Sequence, residues 1–217
     1  MKKTLLFVCL MALCSMNLLA QAKHARTMHT TEKSAIHVPP EAPDTSLTVI
    51  YSNLNSNQST LYNDSNGWTL SGPNSEIGIT QFIGLPFTPA ANSHVSEVQV
   101  AVQYAGAGAN QINLSIYTDD GGVPGTLISK VKTFKNLSTF GTCCTLTVAK
   151  FTPVEVTAGT QYWVVADTPL TGKGDDLYGV WDYVYLNAPQ AFSQGSGWIG
   201  FDASETEAAG EVLGTTP

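Results

Sequence analysis

Residues 96–106 read Ser-Glu-Val-Gln-Val-Ala-Val-Gln-Tyr-Ala-Gly, SEVQVAVQYAG. Val98, Val100, Val102 and Tyr104 fall on one side of an extended chain. Glu97, Gln99, Ala101 and Gln103 fall on the other. A strict period of two, apolar against polar, marks a half-buried strand of an antiparallel sheet.

Working outward, the same texture recurs. Upstream, LTVIYSNL (47–54) and TQFIGLPFTP (80–89) read as strands, the second ended by Pro86 and Pro89. Downstream, NQINLSIYTDDGGVPGTLISKVKTF (110–134) reads as strand, turn, strand. Asp119-Asp120-Gly121-Gly122 breaks that run, and Pro124-Gly125 sets a second turn. TLTVAKFTPVEVTAGTQYWVVAD (145–167) gives two or three strands around a tight turn at Ala158-Gly159. DLYGVWDYVYL (176–186) alternates aromatics, and 197–214 supplies one or two closing strands. No stretch after residue 47 has a helical period. Eight to eleven short strands without helical crossovers predict an all-β fold, an antiparallel β-sandwich of jelly-roll kind.

The 217 residues suit one domain plus processing segments. The first 22 read as a signal peptide: Lys2 and Lys3, an apolar stretch Thr4 to Ala20, then Ala20-Gln21-Ala22 as an A-x-A cleavage pattern. Ser15 and Asn17 interrupt the apolar run, which argues against a membrane anchor. Cys9 and Cys14 follow Val8 and Leu13, which argues against a lipoprotein. Residues 23–46 read as a flexible linker, with Pro39, Pro40 and Pro43 and no apolar period. His24, His29 and His37 lie in it and read as part of a solvated tail. The domain then spans 47–217, and with no second apolar span it is expected to be soluble and secreted to the extracellular space, with the cell surface or a periplasm as alternatives.

Charge narrows the partners. The chain is 43% hydrophobic and 12% charged, below the roughly 25% of ordinary globular chains, so it carries a full core and is not disordered. From Leu47 onward fourteen acids face five lysines, a net −9, and the single arginine, Arg26, lies upstream. Nucleic acid is excluded as a partner, because duplex binding needs clustered Lys and Arg. Anionic membrane surfaces are disfavoured for the same reason.

The residues that could carry chemistry are few. His94 is the one histidine of the domain, and no G-x-S-x-G accompanies it, so no Ser-His-Asp set is legible. The pairs Asp119/Asp120 and Asp175/Asp176 sit in Gly-containing turns, TDDGGVPG and GKGDDLYG. Turn chemistry explains Asp before Gly. Calcium, held by oxygen ligands from several loops, is the functional runner-up for these four acids, ahead of glycosidase chemistry. No other cofactor is expected. Trp68, Trp163, Trp181 and Trp198 with Tyr178, Tyr183 and Tyr185 form a rich aromatic set. Most belong in a core. Trp181, Tyr183, Trp198 and Tyr178 are the candidates for stacking on a sugar.

Cys143 and Cys144 stand side by side in FGTCCTLT (140–147) and are the only cysteines left once residues 1–22 are removed. No C-x-x-C partner or nearby histidine supports zinc or thioredoxin-type chemistry. In an oxidising compartment, a disulfide between the two neighbours or bridges to another chain remain. The neighbour bridge is the expectation, a stiff kink beside Gly141 that closes almost no loop.

Five phrases in order, DSNGWTLSGPNS (64–75), QFIGLPFTPAANSHVSEVQVAV (81–102), IYTDDGGVPGTLI (116–128), TFGTCCTLTV (139–148) and VTAGTQYWVVAD (156–167), resemble the bacterial choice-of-anchor domains of the R type or a close neighbour. The resemblance covers roughly residues 47–214. It implies a secreted or surface-held β-sandwich with no assigned enzyme activity and no established site residues. Such domains usually precede a sorting signal, and the chain stops at Gly214-Thr-Thr-Pro217 without a hydrophobic tail, so release is expected over anchoring. The expected function is a non-catalytic module with a structural, surface or adhesion-type role. A carbohydrate-binding module, with or without calcium, is the alternative.

Overall fold

A computed structural model describes residues 25–30, 46–55, 60–201 and 203–217. The segment assigned to a signal peptide lies outside the described residues, as do His24 and His37. Sixteen strands are present among the described residues, and no helix. They are β1 (Thr27–His29), β2 (Thr48–Ser52), β3 (Asn63–Ser71), β4 (Phe82–Phe87), β5 (Ser93–Val100) and β6 (Val102–Ala107). Then come β7 (Gln111–Asp119), β8 (Pro124–Leu127), β9 (Lys132–Lys135), β10 (Thr147–Val156) and β11 (Tyr162–Asp167). The chain closes with β12 (Tyr178–Asn187), β13 (Gln190–Ser193), β14 (Trp198–Phe201), β15 (Thr206–Ala208) and β16 (Gly210–Thr215). Among the described residues no helix is long and apolar enough to cross a membrane.

The fold is an antiparallel β-sandwich. One layer is a seven-stranded sheet in the order β14-β13-β4-β11-β7-β8, with β9 also on β7. The other layer comprises two sheets: β10-β5-β16-β2, and β1-β3-β12-β15 with β6 also on β12. The seven-stranded sheet lines the core with alternate residues, Ile83, Leu85 and Phe87 of β4, Ile112, Leu114 and Ile116 of β7, and Tyr162, Val164 and Ala166 of β11. Opposite them lie Val98, Val100, Trp68, Trp181 and Val212.

The stretch 96–106 spans both sheets of that second layer. It breaks at Ala101: β5 pairs with β10 and β16, and β6 pairs with β12. The side-chain alternation survives the break, so Val98, Val100 and Val102 all reach one core and Tyr104 packs against it. The polar side is not solvent-facing as expected. Glu97, Gln99 and Gln103 are buried. Gln99 Nε2 donates to Glu97 at 2.7 Å, and Lys150 Nζ stands 3.8 Å from Glu97 Oε2. Gln103 reaches the loop of the paired cysteines, described below. Polar side chains here tolerate burial because each finds a partner.

Other departures have local causes. Pro124-Gly125 is not a second turn but the start of β8, an edge strand, where a missing N–H breaks no ladder. The linker segment contributes β1, paired with β3, and His29 Nδ1 lies 2.6 Å from Asn66 Oδ1. β3 itself is NDSNGWTLS, a composition that reads as turn. It becomes a strand because β1 and β12 flank it. At Gly67 a Cβ would lie 2.5 Å from Trp181 O and 2.3 Å from Val180 Cγ1, so only glycine lets β12 approach this closely.

Candidate functional site

The four aromatic candidates do not form one row. Trp181 is fully buried, and its Nε1 donates to Ala209 O at 2.8 Å. That removes Trp181 from the stacking candidates, since a ring inside the core offers no face to a ligand. Tyr183 is half-buried and meets the Trp68 ring edge-on at 5.6 Å and 73°. Trp68 in turn stacks on Phe201 at 5.1 Å. Trp198 packs on the outer face of the seven-stranded sheet with Trp163, Val165 and Ala191. Tyr178 opens β12, paired with Ser71 and Ala107. The sugar-stacking surface expected from sequence is thus dispersed over separate faces.

The acid pairs lie apart as well. Asp119 ends β7, whose other end, Gln111, lies by Lys173 of the loop holding Asp175 and Asp176. Eight residues of strand set the pairs roughly 26 Å apart, so they do not converge. Asp119 Oδ1 accepts from Trp163 Nε1 and Gln161 Nε2, both at 2.8 Å, and its carboxylate also takes the Gly122 amide. Desolvation pushes that carboxyl up, but the donors outweigh it and hold it below the usual carboxylate range. Asp120 is exposed in the turn, where its N–H donates to Val123 O. Asp175 Oδ2 accepts from Asn74, and Asp176 Oδ1 from the Ala109 amide. Among the described residues no three His, Cys, Asp or Glu side chains gather as a metal-binding group.

These placements carry a prediction. Asp119→Ala leaves the indole N–H of the buried Trp163 without its acceptor, and should cost about 2 kcal/mol in urea unfolding. Asp119→Asn keeps an acceptor oxygen and should cost about half as much.

Asp167, at the end of β11, behaves in the opposite sense. Burial pushes its carboxyl up to about 6 against the opposing hydrogen bond from Asn113 Nδ2. An acid whose folded-state value is raised is destabilised once ionised. Stability is therefore expected to fall as pH rises from about 4 to about 6, by about 2 kcal/mol. Asp167→Asn should remove that loss, measured by urea unfolding at pH 4 and pH 7 on both proteins.

Cys143 and Cys144 are joined to each other, as the sequence predicts. Their loop lies on the outer side of the β6–β12 region. Phe140 N donates to Tyr104 O, and Gln103 Oε1 accepts from the Gly141 amide at 3.0 Å. Gln103 Nε2 donates to Thr142 O, and Tyr62 Oη to Thr145 O at 3.1 Å. Cys144 is buried in a small cluster with Tyr62, Ala101, Val184 and Ala209. Cys143, partly buried, packs against the same cluster.

A hollow in the surface lies at another edge. A groove of about 450 Å³ runs between the end of β7, the β8–β9 connection and β10. β10 bulges between Lys150 and Val154, which swings Thr152 and Pro153 outward to form one wall. Thr118, Ser129 and Lys130 form the other, with Tyr162 also lining the groove. A second hollow of about 330 Å³ shares Glu155 and adds His94, whose Nε2 is 3.7 Å from Glu155 Oε1.

No family model, curated protein or solved structure matches this chain.

Thr118 Oγ1 accepts from the Thr126 amide at 2.9 Å, and Ser129 Oγ from the Ile116 amide at 2.8 Å. Those hydroxyls brace the β7–β8 hairpin. Lys130 and Glu155 set opposite charges along one groove. The sequence reading missed this place because its walls come from three separated segments, and Thr, Ser and Pro in them carry no motif.

Proposed function

We propose that this chain is a secreted, non-catalytic β-sandwich module of the choice-of-anchor kind, with a structural, surface or adhesion-type role. The observation that carries the reading is where the polar chemistry goes. Asp119, Thr118 and Ser129 act as acceptors that hold turns and hairpins together, and His94 is set against Glu155. The paired cysteines suit an exported protein, because lasting disulfides belong to oxidising compartments. The excess of acids over lysines argues against nucleic acid as a partner. A panel of hydrolase substrates should give no turnover. Rates near 1 s⁻¹ or above on any of them would overturn the proposal.

The second reading, a carbohydrate-binding module, rests on the groove rather than on the aromatic row. Thr152, Lys130 and Glu155 offer polar contacts to a hydroxyl-rich ligand over the Tyr162 side chain. If a glycan array identifies a ligand, Lys130→Ala and Glu155→Ala should each weaken it about 3–10-fold without loss of stability, since both side chains are exposed. An array that stays blank with and without calcium removes this reading.

A further inference from the structure

Among the described residues, Asp182 is the acid that the fold encloses completely and leaves without a partner. It is 0% exposed, and neither carboxyl oxygen meets a hydrogen-bonding group. Its main chain is pinned. The N–H donates to Ala101 O at 2.9 Å, and its carbonyl accepts from the Ala209 amide at 2.8 Å. This is the fork where β5 passes into β6 and β15 into β16. Trp181 takes the core side of β12, so the Asp182 side chain takes the opposite face, where its charge acts on Tyr62.

Beside it β3 is distorted. Asp182 pairs with Gly67, yet Tyr183 pairs with Asn63, so Asp64, Ser65 and Asn66 are three extra residues on the bulged strand. The run Asn63-Asp64-Ser65-Asn66 carries an oxygen-bearing side chain at every position. Asp64, half-buried, is the charge acting on Asp182, and it acts on Tyr62 too.

An ionised carboxylate enclosed without a partner is among the costliest arrangements in a protein. Protonation removes the charge, but it leaves a polar carboxyl enclosed without a hydrogen-bond partner. A second carboxyl alongside adds like-charge repulsion. A cation between them removes all three problems at once, and side chains that carry oxygen rather than sulfur or imidazole select a hard one.

We propose that Asp182 and Asp64, with oxygens of the 63–66 bulge, form a binding site for a hard divalent cation of the calcium type. The site is distinct from the turn acids Asp119, Asp120, Asp175 and Asp176. It supports the fork by neutralising the acid at its centre, and it stands whether or not the protein binds a glycan.

The test uses the full chain stripped with a chelator. Calcium at about a hundred times its dissociation constant should raise Tm by about 5–10 °C. Terbium, bound in calcium's place, should emit when tyrosine is excited, and calcium should displace it. Asp182→Asn should abolish both signals. Asp64→Asn should weaken binding at least tenfold and, with its side chain at a half-exposed bulge, keeps the test open if Asp182→Asn does not fold. Absence of a Tm shift and of sensitised emission in the wild-type protein up to millimolar metal overturns the proposal. So does an unchanged calcium response in both variants, or an Asp182→Asn protein that is more stable than wild type and responds as before, which would mark Asp182 as a neutral buried acid.

Discussion

Trp181→Ala is expected to lower unfolding free energy by about 3–5 kcal/mol, the cost of emptying a fully buried large ring from a close-packed core. Trp181 sits on β12 with Trp68 of β3 on one side and Val102 of β6 on the other. Its removal opens a cavity where three strands meet and deletes the indole bond to Ala209 O. Total stability of a domain this size is about 5–15 kcal/mol, so the variant should melt about 10 °C or more below wild type. Trp181→Phe separates the two contributions. It keeps most of the ring, and Ala209 O retains the Ala101 amide, so the cost should fall to about 1–2 kcal/mol. Tyr185→Ala is the control, because Tyr185 on the same strand is 49% exposed and should change little. An equal loss in Tyr185→Ala and Trp181→Ala, read by circular dichroism in urea, would contradict the assignment of Trp181 to the core.

Gly67→Ala is expected to cost about 3 kcal/mol, the upper end of overpacking penalties. A single methyl group is added, yet two of its three nearest atoms are backbone, Trp181 O at 2.5 Å and Asp182 Cα at 2.9 Å. A side chain could rotate away, but a strand cannot move without breaking its ladder. The Gly67 pairing also fixes the position of Asp182, so the variant should lose calcium binding along with stability. Urea titrations with and without calcium should show both losses. A Gly67→Ala protein of wild-type stability would mean that β3 and β12 separate more readily than their register implies.

Much of the architecture is legible in short windows. The valines of 96–102 point to one core even though the chain changes sheet at Ala101, because side-chain alternation depends on local backbone geometry and not on which strand is paired. The turns at Asp119–Gly122 and Ala158–Gly159 are also legible, since Asp and Gly carry their turn preference with them. Gly159 duly adopts a φ of 72°. β3 was not legible, nor was β13, because their residues become strands only through flanking strands that come from distant parts of the chain. The candidate site was less legible still. Alternation along 176–186 does not say which face of β12 is inside, and so leaves Trp181 open as a stacking candidate when it fills the core.

The sequence by itself determined an all-β chain rich in apolar residues and poor in charge, the turn roles of its Asp-Gly runs, and a pair of neighbouring cysteines. Those properties follow from period, composition and spacing, which act over a few residues. Only the tertiary structure decided that 96–106 bends from one sheet into another, that Glu97, Gln99 and Gln103 are buried with partners, that a groove forms between β7 and β10, and that Asp182 is enclosed beside Asp64. Those outcomes depend on which distant strands lie alongside, and burial of a polar group is set by its neighbours in space rather than by its neighbours in the chain.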